Sequence, residues 1–258
     1  MTTNADAGVS TDDLVLGLDG CPAGWIAVAW SLSSYTASRA AAPRSFLLRT
    51  LGDIQTLGFT PRVVAIDIPI GLPDHLDGAG RGCDVAARAV LGPRRSSVFA
   101  VPARAAVYAE TYPEACAAAF AHSTPPRKVS KQCFFLFPKI READAYLARH
   151  GKSALIECHP EVAFRALNGG EPLAEGKKIK GRINEAGMEV RRSLLENAGF
   201  PAAFLRELPY LRREVGMDDL LDACVCAWTA ARIARGVADR FPADGGVDDR
   251  GVPMTIHA

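Results

Sequence analysis

The sequence predicts an α/β protein: a mixed five-stranded sheet flanked by helices, with a helical insertion after the fourth strand. Three observations carry that expectation. Leu14–Trp30, LVLGLDGCPAGWIAVAW, reads as two apolar β runs joined by a turn on Gly20, Pro22 and Gly24. A short helical stretch at Leu51–Leu57 separates this hairpin from a second apolar run, Val63–Leu72, VVAIDIPIGL. A strand–helix–strand crossover places that run parallel to an earlier strand, the first. Third, the rest of the chain is dominated by amphipathic and Ala-rich stretches, with one further short apolar run at Ser153–Cys158.

Taken in order, Ser31–Arg44 is a small, polar loop and Ser45–Arg49 a third strand. Arg62–Ile68 is the fourth strand, broken at Pro69 and Gly71. From Pro73 the chain makes a long helical excursion to about residue 150. It comprises Gly82–Leu91 ending at Gly92-Pro93, Ala103–Ala121 with a break at Pro113, and Ile140–Arg149. Ser153–Cys158 is the fifth strand, followed by a helix over Glu161–Leu167 that stops at Asn168-Gly169-Gly170. Lys177–Arg192 is rich in basic residues and reads as a solvated helix face, its second half running to about Ala198. Met217–Gly236 is the last strong helix, with Leu220, Leu221, Val225, Trp228 and Ile233 on its apolar face. The organisation expected is a disordered leader at 1–12 and a single domain over 13–258, with the helical insertion at about 73–150.

Composition narrows the class. The chain has 258 residues, of which 48% are hydrophobic and 23% charged, as in an ordinary globular protein. No run approaches the roughly 18 apolar residues of a membrane span, and the polar N-terminus lacks the features of a signal peptide. Seven cysteines without framework spacing point to reduced thiols and a cytoplasmic location. A net charge of +1 neither demands nor excludes a polyanionic partner.

The chemistry rests on the acids. Asp19 and Asp67 each end an apolar run, where Asp has little structural use beyond turn formation. Parallel pairing of their strands would bring them together at the carboxyl edge of the sheet, where such folds bind ligands. Glu157 ends the fifth run in the same way. Asp218 and Asp219 suit the start of the last helix. Asp222 lies one turn inside and shares a face with both. Clustered carboxylates repel one another, which calls for a hard cation, Mg²⁺ or Mn²⁺, or else raises their pKa values. Two such ions roughly 4 Å apart suit phosphodiester hydrolysis. Weaker signals are the Gly78–Gly82 loop, read as a flexible turn, and Cys158-His159, which lacks a second pair at zinc spacing. Arg94-Arg95 with Ser96-Ser97, and Lys177-Lys178, offer phosphate contacts.

The strings GLDGCPAGW, AIDIPIGL, ECHPE and DDLLDA resemble the domain-of-unknown-function family 429, described as predicted RNase H-like nucleases. The likeness extends from about Leu14 to Gly236. It implies a ribonuclease H-like sheet with catalytic acids on the first strand, near the end of the fourth and on the last helix. Asp19, Asp67 and Asp222 stand at the matching positions, and Asp219-Leu-Leu-Asp222-Ala223 matches the last-helix pattern of the Holliday-junction resolvase branch.

The function expected is a divalent-metal-dependent nuclease acting on DNA or RNA, a junction resolvase being expected to dimerise. Asp19, Asp67 and Asp222 would be metal ligands, and Asp219 and Glu157 further ligands or water positioners. Lys177, Lys178 and Arg182 would steer the substrate backbone. Two alternatives stay open: a catalytically inactive binding module on the same fold, and a hydrolase of a small phosphorylated molecule. An actin-like ATP phosphotransferase is disfavoured, because it needs two such lobes and only one Asp-Gly hairpin is present.

Overall fold

The computed structural model describes residues 13–35 and 42–258; the leader expected at 1–12 and part of the 31–44 loop lie outside them. The main sheet contains β1 (Leu14–Cys21), β2 (Gly24–Ser31), β3 (Arg44–Leu48), β4 (Val64–Asp67) and β5 (Ile156–Glu157), in the order β3-β2-β1-β4-β5. β1, β2 and β3 form an antiparallel meander, and β4 pairs parallel to β1 and to β5. This is the mixed, helix-flanked sheet expected from the sequence.

Both faces of the sheet are buried, which is why β1, β2 and β4 read as continuous apolar runs rather than alternating ones. Alternation survives in what each face touches. Val15, Ile26, Val28, Trp30 and Ala65 pack on one side against α1 (Gly82–Leu91), α4 (Pro160–Leu167), α5 (Glu185–Asn197) and α6 (Met217–Ala234). Leu16, Leu18, Trp25, Ala27 and Ile66 face α2 (Tyr112–Ala121) and α3 (Phe137–His150) on the other. The helices between β4 and β5 therefore serve both layers: α1 packs against α4 in the layer that holds α6, and α2 and α3 cover the opposite face.

The closest packing joins β1 to α6. Gly17 lies mid-strand, on the face that also carries Val15 and Asp19. A Cβ at Gly17 would stand 2.0 Å from the Ala227 nitrogen and 2.3 Å from the Ala223 oxygen. The backbone of α6 thus rests directly on β1. Ala223, Ala227, Ala230 and Ala231 keep that side of the helix small, and all four are fully buried.

The break expected within Ala103–Ala121 is present, as a single turn, Arg104–Val107, followed by α2, and two other local expectations change. Thr111 restarts the chain: its Oγ1 accepts the Glu114 N–H at 3.4 Å while the Glu114 carboxylate accepts the Thr111 N–H at 3.0 Å, and Pro113 sits in the first turn. The fifth strand is shorter than Ser153–Cys158, because only Ile156 and Glu157 pair with β4. The first half of the basic run is a β-hairpin, Lys178–Ile179 with Arg182–Ile183, and helix α5 begins only at Glu185. Among the described residues no helix is long and apolar enough to cross a membrane. All seven cysteines are free thiols.

Candidate metal centre

Register builds the site. Parallel pairing sets Asp19 directly opposite Asp67, on the face that packs against α6. Close contact of α6 with Gly17 then brings the first turns of that helix over the strand ends, where Asp222 projects. One carboxylate oxygen from each of Asp19, Asp67 and Asp222 lies within 4.8 Å of the other two. The three acids come from elements far apart in sequence, and the fold converges them as the sequence pattern anticipated.

Their surroundings are dry. Asp19 is 7% and Asp222 1% exposed, and Asp67 is half-buried. Asp19 accepts the Gly20 N–H at 2.8 Å. Asp222 Oδ2 accepts from the Lys177 ammonium, whereas Asp222 Oδ1 is buried without a hydrogen-bond partner among the described residues. Burial, then the negative charges of Asp67 and Asp222, push the Asp19 carboxyl well above its ordinary range. Burial raises Asp67 to about 6, with His159 and Lys177 opposing and Asp222 reinforcing. Asp222 is raised by burial even beside Lys177. Burial would lower the Lys177 ammonium, but Asp222 and Asp19 outweigh it and hold the proton more firmly than usual.

The remaining sequence candidates divide. Asp219 borders the site but also caps α6, its Oδ2 accepting the Gly216 N–H at 2.8 Å. Burial, against that hydrogen bond, raises it to about 6. Lys178 pairs with Asp218 at 2.6 Å. Arg182 lies exposed on the hairpin. Glu157 stands apart from the three aspartates. Its register partner is Ile66, not Asp67, so its side chain alternates to the other face. There it is bound by Arg81, Nη2 to Oε1 at 2.7 Å and Nη1 to Oε2 at 3.0 Å, and by the Ile70 N–H at 2.8 Å. Cys83, Asp84 and Glu157 form a second cluster of ligand-type groups. The Arg81 guanidinium stands among them, 2.6 Å from Asp84, and already supplies their cation.

Sequence reasoning missed Arg81 and Lys139. Arg81 was read as part of a flexible glycine loop, and its partner Glu157 lies too far along the chain for any spacing to reveal. Lys139 donates to the Gly24 carbonyl and sits 4.3 Å from the Trp25 ring centroid. With Gln132 and Leu136 it lines a cleft of about 520 Å³ that Lys177, Lys178, Asp19 and Asp67 also line. Ser96 and His159 line the same cleft. His159 Nε2 donates to the Ser97 carbonyl at 3.2 Å.

A family model described as "Protein of unknown function (DUF429)" matches residues 17–245. The chain belongs to the DUF429 family. Neither curated proteins nor solved structures give a match. For this DUF429 chain the matched span contains every residue of the aspartate cluster, the Lys177–Lys178 hairpin and α6.

The donor set fits a hard divalent cation. It is all carboxylate oxygen, it retains an orphaned buried oxygen on Asp222, and it opens onto a cleft wide enough to leave water on an ion.

Proposed function

We propose that this protein is a divalent-metal-dependent phosphodiester hydrolase, a nuclease, with Mg²⁺ or Mn²⁺ held by Asp19, Asp67 and Asp222. The observation that carries the reading is the convergence of the cluster. Among the described residues, carboxylates from two strands and a helix meet around one ammonium, which is bonded to Asp222 alone, and one Asp222 oxygen has no partner. Buried carboxylates are protonated, paired or bound to metal. The strand order β3-β2-β1-β4-β5, with acids at the ends of β1 and β4 and on the last helix, supports a ribonuclease H-like assignment.

An ion bound there would supply Lewis-acid stabilisation of the phosphoryl oxygens and a more acidic water. The chain's own groups do the rest. Asp19 and Asp67, fixed by β-pairing, present their oxygens from a rigid edge. Asp219, at about 6, can accept a proton from the attacking water near neutral pH. Lys178 and Arg182 meet the substrate backbone from the hairpin, and Lys139 from the insertion. Glu157, bound to Arg81, positions the end of β5 and does not touch the reacting atoms. Free thiols suit a reducing, cytoplasmic setting.

The cleft that Asp19 and Asp67 line is also lined by Gln132, Leu136 and Lys139 of the insertion, and this favours an unpaired strand or a small phosphorylated molecule over an intact duplex. Cleavage is therefore assayed on single-stranded DNA and RNA, on duplexes and junctions, and on a small chromogenic phosphodiester, each with Mg²⁺ or Mn²⁺. The expected result is hydrolysis of single strands that falls at least about 100-fold in Asp67→Asn. Turnover of the small ester alone would favour the second reading. Equal background in wild type and Asp67→Asn would leave a binding module.

A further inference from the structure

We propose that Lys177 is an exchangeable internal counter-ion: it fills the cation position of the aspartate cluster and gives it up when a divalent ion is bound. The hairpin it begins is thereby coupled to metal loading. This inference rests on the metal reading of Asp19, Asp67 and Asp222.

The contrast with Arg81 carries the argument. Both are cations set among buried carboxylates. Arg81 is 2% exposed and is fixed by Asp84, Glu157 and the carbonyls of Ile70 and Gly71. Such a guanidinium is a permanent structural partner. Among the described residues Lys177 makes one side-chain hydrogen bond, to Asp222, and its side chain is 29% exposed while that of Asp222 is 1% exposed. A lysine with a flexible four-carbon stem and partial access to water can withdraw its ammonium into solvent and be rehydrated. Asp222 has no such escape; once Lys177 leaves, its oxygens require another cation. The cluster is thus balanced for exchange rather than for a fixed pair.

The setting of Lys177 fits that role. It immediately precedes the hairpin Lys178–Ile179/Arg182–Ile183, whose tip turns through Lys180 and Gly181, at φ of 49° and 76°. Every residue from Lys178 to Ile183 is exposed. Lys177 to Asp222 and Lys178 to Asp218 are the ion pairs that hold this arm against α6. Loss of the first releases an ammonium at the rim of the cleft, where a substrate phosphate would lie. Metal loading would then also arm the substrate contact.

Two measurements test this. The first is the Mn²⁺ dissociation constant, by electron paramagnetic resonance, for wild type, Lys177→Met and Asp67→Asn. Removal of a competing positive charge at an Asp222 oxygen should tighten binding in Lys177→Met by about tenfold or more. If wild type binds Mn²⁺ and folded Lys177→Met binds equally or more weakly, Lys177 does not occupy the ion's place. Absence of binding in both proteins would defeat the metal reading itself, and this proposal with it. The second measurement uses wild type alone and covers the case of a misfolded variant. Amine acetylation at limiting reagent, followed by mass spectrometry, should rise at Lys177 when Mn²⁺ is added and stay constant at exposed Lys128 and Lys152. Unchanged labelling of Lys177 at saturating Mn²⁺ would overturn the exchange.

Discussion

Arg81→Met is expected to destabilise the protein by about 3–5 kcal/mol, the cost of breaking a buried ion pair from one side. The guanidinium satisfies two carboxylates at once, Asp84 at 2.6 Å and Glu157 at 2.7 Å, and it also donates to the Ile70 carbonyl at 2.6 Å. Met fills much of the volume but leaves Asp84 and Glu157, at 1% and 5% exposure, without a cation. Burial already keeps Glu157 above its ordinary range with Arg81 present. Urea denaturation at neutral pH measures the loss. A change below about 1 kcal/mol would mean that the network is not the anchor described. The consequence would reach the site, because Glu157 also binds the Ile70 N–H, in the segment that leaves β4 just after Asp67.

The second large effect is expected at Gly17. Gly17→Ala would set a methyl group 2.0 Å from the Ala227 nitrogen and 2.6 Å from the Cys226 carbonyl carbon, all backbone of α6. No rotamer relieves a backbone clash, so α6 must shift away from β1. We expect a loss of about 3 kcal/mol, at the upper end of overpacking costs. A shift of α6 also carries Asp222 away from Asp19 and should weaken Mn²⁺ binding in protein that remains folded. Gly82→Ala is the control: its Cβ would meet nothing within 4 Å, and its effect should stay within about 0.5 kcal/mol. Near-equal stability of the two variants would contradict the close β1–α6 contact.

The three aspartates mark where sequence reading succeeds, and Arg81 where it stops. Asp19, Asp67 and Asp222 were legible because local signals, acids at strand ends and an acid one turn into a helix, coincide with a crossover that forces parallel pairing. Glu157 carries the same local signal and lines the same cleft, yet a single residue of register keeps it out of the aspartate cluster. Register is a tertiary property: β5 pairs through only Ile156 and Glu157, and nothing in ten residues of sequence fixes which of them meets Ile66. Arg81 sits in a glycine-rich loop that looks like a flexible turn, and its partner is 76 residues away. The hairpin after Lys177 was hidden by its own charge. Lys180-Gly181 between two short paired segments is a turn signal, but the surrounding basic residues resemble the exposed face of a helix.

The central claim is that three buried carboxylates form one divalent-metal site, and its most direct test is a calorimetric Mn²⁺ titration at several pH values between about pH 5 and 8. Protons and metal compete for the same oxygens. With Asp67 at about 6, Asp19 raised by burial and by the charges of Asp67 and Asp222, and Asp222 raised by burial, affinity should climb as pH rises through about 6, with protons released on binding. Asp67→Asn should abolish the binding at every pH. Binding that persists in Asp67→Asn, or that does not change with pH over this range, would contradict the site.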